Sequence, residues 1–415
     1  MKIKALLAGS AAAMVISSAS YAADVVVAEP EPVEFVRVCD AYGQGYFYIP
    51  GTDTCMRVGG YLRADIKGGD NVYAYNGKKD RDTYAWRARG ELRFQTASET
   101  ELGTLRTLVE LRNQWDDGDD TLSGQAHFAY IELGGLRVGV DESIFWHWTG
   151  YLGKVLNDDV VDKGMFQRTN VLSYTFSADN GFSAIVGVEQ GTDGGSDNAG
   201  DNYYLKGMGK RVDVNSGLEY RKDANARHFY SGSSIDDYTP NVLLGAKYVQ
   251  GWGSIAAVGA YEAQSEEWAA KLRVNLNVTD QLSVWVMGGY KSNDDYYAYD
   301  DYYNGPKGQQ KHKHTYYYRM YTSQYGDWGG DWAVWGGTTY KATKKASFNS
   351  QLTYDDTDVF TASVNMAYEL VPGLVVTPEV SYRYYGDDKK WDDGSRVTFH
   401  GDSAVQGMLR MQRNF

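Results

Sequence analysis

Arg87, Arg89 and Arg93 stand on alternate positions of TYAWRARGELRFQT (83–96), and Arg63, Arg106 and Arg112 occupy matching positions in the flanking stretches. Against them the same face offers Glu91 and Glu110, so the six arginines form a lopsidedly basic wall. Further on, ESIFWHWTGYLGKVLNDDVVDKGMFQR (142–168) carries Asp158, Asp159 and Asp162. Acids on one segment set against a basic wall do no covalent chemistry. They create a transverse field across any passage between them, which orients dipolar solutes and disfavours apolar ones.

The other chemistry-bearing residues exclude more than they offer. A hydrolase needs a nucleophile, a base and an orienting group that converge. Of the six histidines (127, 147, 228, 312, 314 and 400), only His127 comes near a serine that could serve, Ser123 or Ser143, and no motif ties them together. KHKHTYYY (311–318) reads as a solvated loop. The acid-rich stretches WDDGDD (115–120), NDDYYAYDDYYNG (293–305) and GDDKKWDDG (386–394) lack the ligand order of a calcium loop. They read first as solvated loops, and more sharply as segments that bridge through divalent cations to lipopolysaccharide phosphates. No enzyme activity, no resident metal and no cofactor is expected. The formal charge is −13, and removing residues 1–22, with Lys2 and Lys4 and no acid, takes it to −15. Such a surface does not suit nucleic acid.

The elements that must hold the arginines are strands. At a helical period of about 100° per residue, Tyr84, Trp86, Leu92 and Phe94 would scatter around the circumference. At a period of two they share one face. MRVGGYLRADI (56–66), EEWAAKLRVNL (266–276) and FTASVNMAYEL (360–370) repeat the alternation. Runs of about 11 residues match a tilted strand crossing a bilayer, whereas a globular strand is typically about 5–6. Nothing past residue 23 approaches an apolar spanning helix, and the mean hydropathy is −0.50. A membrane barrel hides its apolar surface in such alternation, and aromatic girdles account for 35 Tyr and 11 Trp.

The expected fold is therefore all-β: a transmembrane, antiparallel, up-and-down β-barrel with short joins alternating with long ones. It has 16 strands, or 18 if a hairpin at 203–221 joins the wall. The segment 142–168 holds too much apolar surface for an exposed loop and is expected to fold into the lumen. Pro378, inside LVVTPEVSYRYY, predicts a bulge. Trp285, on the polar face of its strand, predicts a covering loop. Residues 1–22 read as a signal peptide with a basic start and an apolar core, and 23–55 as a leader ending in a short Tyr/Gly-rich loop. In an oxidising compartment Cys39 and Cys55 would close that loop as a disulfide. Residues 56–415 form the barrel. The last strand, AVQGMLRMQRNF, ends on Phe415 and resembles the outer-membrane insertion signal read by the barrel-assembly machinery, with Arg413 departing from it.

VCDAYGQGYFYIPGTDTCMRVGGYLR, AYIELGGLRVG, GGDWAVWGG and LVPGLVVTPEVSY resemble segments of the alphaproteobacterial general porins of the rhizobial and brucella type. The likeness runs over nearly the whole chain after the leader and is weakest in 190–240 and 292–327. It implies a 16-stranded outer-membrane barrel, a homotrimer among lipid and lipopolysaccharide, and a third loop folded inward as an eyelet. It further implies passive diffusion of small hydrophilic solutes and ions. The alternatives are a surface receptor or adhesin, motivated by the Tyr-rich 295–325 loop, or a channel selective for one solute class.

Overall fold

The computed structural model describes residues 37–73, 84–161, 168–191, 211–213, 238–263, 266–292, 296–304, 312–320, 324–386, 389–390, 396–397 and 403–415. Sixteen antiparallel strands among them form one continuous wall. They are β1 Cys55–Gly69, β2 Tyr84–Thr100, β3 Gly103–Asp116, β4 Asp119–Leu133, β5 Leu136–Glu142, β6 Arg168–Ser177, β7 Phe182–Glu189 and β8 Asn241–Gln250. The circuit continues with β9 Gly253–Glu262, β10 Glu267–Asn277, β11 Leu282–Lys291, β12 Trp332–Lys341, β13 Ala346–Asp355, β14 Phe360–Val371, β15 Leu374–Tyr384 and β16 Ser403–Asn414. Each pairs with its neighbours in sequence, and β16 closes on β1, with Leu62 opposite Arg413 and Ile66 opposite Leu409. Phe415 completes the seam by exchanging backbone hydrogen bonds with Gly60 (3.0 and 3.1 Å). Arg413 points outward and donates to the carbonyl of Pro372 in the neighbouring turn.

Closure removes the free edges that an open sheet would expose, and alternation decides what each face carries. Outward Val364 is 56% exposed while its neighbour Asn365 is 6% exposed. In a bilayer, Val364→Arg should cost about 2–4 kcal/mol if it sits near the midplane, read as a lower denaturant midpoint for the assembled barrel. An unchanged midpoint would place Val364 off the lipid face.

The long strands β1–β4 carry the arginine wall, and β3 turns into β4 in two residues. Asp117 (φ 50°) and Gly118 (φ 97°) both take the left-handed conformation that such a hairpin requires, so WDDGDD is a tight turn rather than a loop. Pro378 produces no bulge. The β14–β15 offset is the same on both sides of it (Asn365 opposite Glu379, Tyr368 opposite Val376), and the register shift lies at Val371, beside the turn. Pairing simply lapses at Met366 and Ala367, next to the missing N–H. Of 203–221, only Arg211–Asp213 is described; it pairs in parallel with Tyr297–Tyr299, in a separate sheet with His312–Met320. The wall therefore has 16 strands, not 18.

Cys39 and Cys55 are bonded, with their Cα atoms 6.1 Å apart. The loop they close folds back on the inward face of β2, where Cys39, Tyr46 and Cys55 bury Ala97.

Candidate functional site

The chain leaves β5 at Glu142 and enters the lumen. Ser143 caps a one-turn helix, α1 (Ile144–His147), by accepting from the Phe145 N–H. From there the loop follows the inner wall strand by strand. Glu189 on β7 accepts from Ser143 Oγ (2.9 Å) and Ile144 N (2.7 Å). On β10, the Lys271 Nζ lies 4.3 and 4.2 Å from the Phe145 and Trp146 rings, and Arg273 donates to the carbonyls of Gly150 and Tyr151. At Gly153 a Cβ would touch Trp285 of β11 and collide with the Gln351 side chain of β13. Asn365 of β14 donates to the Lys154 carbonyl (2.9 Å). Glu379 of β15 then accepts from the backbone N–H groups of Leu156 and Asn157, the latter at 2.8 Å.

This path explains the apolar surplus of the loop. Ile144, Phe145, Trp148 and Leu152 join Leu243, Met287, Trp285 and Trp335 in one buried cluster, and the loop covers Trp285 as expected. A second inward segment, which sequence reasoning missed, braces the start of the loop. Residues 324–329 are buried, Tyr325 donates to Glu189 (2.8 Å), and the Tyr325 and Trp328 rings lie 5.4 and 6.4 Å from that of Phe145. Its signal was available: Tyr325 and Trp328 stand just before a strand, an apolar excess like that of 142–168. At the far end Val160 packs with Val72, Tyr385 and Ala404.

The arginine wall is more compensated than the spacing suggested. Cross-strand register brings in acids that composition alone did not pair. Arg87 binds Asp116 (2.5 Å). Arg93 and Arg112 share Glu91 and Glu110, with contacts of 2.5–3.1 Å. Arg106 stands apart from these at the short-turn end, its guanidinium 5.8 Å from the ring centre of Tyr42 in the disulfide loop. Arg63 lies 3.7 Å from Asp65, which is engaged by both Nε and Nη2 of Arg410 (2.7 and 3.0 Å). Arg89 donates to Gln114 (2.5 Å) and has no carboxylate within ion-pair distance among the described residues.

The loop acids sit at its far end. Asp159 accepts from the Tyr73 hydroxyl at 2.6 Å, and the Asp158 carbonyl accepts from Gln351 (2.6 Å). Burial, and then the neighbouring Asp159, pushes the Asp158 carboxyl well above its ordinary range. Asp162 lies outside the described residues. His127 lies 3.9 Å from Glu110, whereas Ser143 Oγ is bonded to Glu189, so His127 and Ser143 do not pair; the Ser123 side chain lies outside the described residues. No cluster of metal-ligating side chains occurs among the described residues.

Residues 24–408 match the model of the porin subfamily. The chain is 48% identical over 426 residues to porin Omp2b of Brucella suis biovar 1 (strain 1330), with the whole of both chains covered. It is 47% identical, at the same coverage, to porin Omp2b of Brucella melitensis biotype 1. Among solved structures, the outer membrane channel DcaP of Acinetobacter baumannii superposes with a TM-score of 0.56 at 14% identity, covering 89% of this chain and 99% of that one; this likeness speaks to the fold alone. A closed 16-stranded wall, a polar lumen lined by an inward loop and a family match across nearly the whole sequence agree: this chain belongs to the porin subfamily, an outer-membrane β-barrel and not an enzyme.

Proposed function

We propose that the protein is a general diffusion porin, a water-filled channel through which small hydrophilic solutes and ions pass down their gradients. The observation that carries this reading is the path of residues 143–159. Their contacts run along β7 to β16 and end at Tyr73 beyond β1, and among the described residues no hydrogen bond or ion pair of theirs goes to the arginines of β2 and β3. A lumen narrowed from one side and charged on the other filters by size and by dipole, not by a closed binding pocket. The constriction is assigned to Asp158, Asp159 and Asp162 on the loop side and to Arg63, Arg87, Arg89, Arg93 and Arg112 on the wall. Arg106 belongs to the short-turn mouth instead. The same reading makes 1–22 a cleaved export signal, and the family match begins just past it, at residue 24. It also makes the assembled form a homotrimer held in lipid and lipopolysaccharide.

Replacing Arg87, Arg89 and Arg93 together with Gln should shift the zero-current potential in a KCl gradient toward cation preference. The shift should shrink at high salt, because the Debye length falls to about 3 Å at 1 M. A potential that does not move at low salt would remove these residues from the conduction path.

A further inference from the structure

We propose that Arg63 and Arg89 form a discrete binding site on the lumen wall for a small oxyanion, a carboxylate or phosphate group carried by a passing solute. The two residues are direct cross-strand partners on β1 and β2. Like charges placed directly opposite each other destabilise a sheet, and Arg87, Arg93 and Arg112 are each relieved by a carboxylate at 2.5–3.1 Å. Among the described residues Arg89 has no such partner, and the one acid within ion-pair distance of Arg63 is Asp65, which is held by both Nε and Nη2 of Arg410 and lies 3.7 Å from Arg63.

The local hydrogen bonds leave the pair open to a ligand. The Arg63 side chain is 13% exposed, and its Nε is buried without a hydrogen-bond partner among the described residues. Arg89 spends Nε on Gln114. No ion pair joins Arg63 or Arg89 to the loop aspartates among the described residues. Beyond Asp65 on the same face of β1, Lys67 lies 5.9 Å from the Tyr73 ring and adds positive charge with no ion-paired acid among the described residues. Guanidinium forks match the paired oxygens of a carboxylate or phosphate, and an oxyanion between two of them makes charge-assisted hydrogen bonds that chloride cannot reproduce.

The proposal rests on the channel reading and sharpens it: the wall holds a saturable step for oxyanions, not only a diffuse field. The test pairs two measurements on the purified full chain. The first is block of single-channel chloride current by succinate or by inorganic phosphate. The second is calorimetric titration of the same anions into detergent-solubilised protein, which does not require conduction. Replacing both Arg63 and Arg89 with Gln should weaken block and binding by about tenfold or more, the loss expected when charge-assisted hydrogen bonds are removed. Lys345→Gln, at an exposed turn, should change neither. Replacing both arginines with Lys keeps the charge and loses the forks, so chloride should still pass while oxyanion block weakens. Succinate and phosphate arms that differ identify which oxyanion the site prefers. Conduction without saturable block or binding, or block that survives both double replacements, overturns the site. Binding lost in the Gln variant of a protein that does not conduct would keep the site and overturn the channel reading.

Discussion

Deleting residues 150–160 is expected to raise single-channel conductance severalfold and to admit larger sugars into liposomes, while the barrel still assembles. The excised stretch supplies the carbonyls that meet Arg273, the glycine laid against Trp285 and Gln351, and the amides held by Glu379. Each of those wall groups would then face lumen water, so the loss is one of filling and not of wall stability. Closure depends on strand pairing around the circuit, with β16 on β1, and the deletion touches none of it. The helix α1 and its contacts with Glu189 and Lys271 precede the cut and remain. A variant that fails to assemble would mean that the loop nucleates the barrel; one that assembles with unchanged conductance would place the constriction elsewhere.

Glu379→Ala should produce the second large effect, within the same stretch of the loop. One carboxylate accepts from Leu156 N, Asn157 N and Asn365 Nδ2, and it is 3% exposed. Truncating it leaves several donors without their acceptor at about 1–3 kcal/mol each where they stay buried. The end of the loop should release and hydrate instead. Open-channel current noise should rise and conductance increase, with the denaturant midpoint of the wall little changed. Glu379→Gln retains one accepting oxygen and should fall between the two. Equal, quiet currents in all three proteins would show that Glu379 does not hold the loop.

Much of this was legible in the chain. Period-two alternation in 83–96 gives the strands and puts Arg87, Arg89 and Arg93 on one face, because side-chain direction in a strand depends on parity alone. The apolar surplus of 142–168 gives the inward loop, because such surface has to be buried. What stayed hidden depends on register or on distant partners. Nothing local says that Arg87 meets Asp116 or that Asp65 belongs to Arg410, 345 positions away. Asn157 and its anchor Glu379 are 222 positions apart. Asn365 reads as an open-lumen residue by parity, yet it lies beneath the loop, bonded to Asn349 and to the Lys154 carbonyl. The six-arginine field was overcounted for the same reason: alternation identifies the inward face but not which charges on it cancel.

The central claim is that residues 143–161 lie along the inner wall and narrow a channel that stays open. Cysteines at positions 157 and 381 test it most directly, because Asn157 Nδ2 lies 3.0 Å from Ser381 Oγ and the two cysteines already present, among the described residues, are bonded to each other. The account predicts that a short bifunctional thiol reagent joins the pair in the assembled protein, and that the cross-linked channel conducts like the parent with less current noise. Two thiols that are labelled separately and never joined, or a cross-link that shuts the channel, would contradict it.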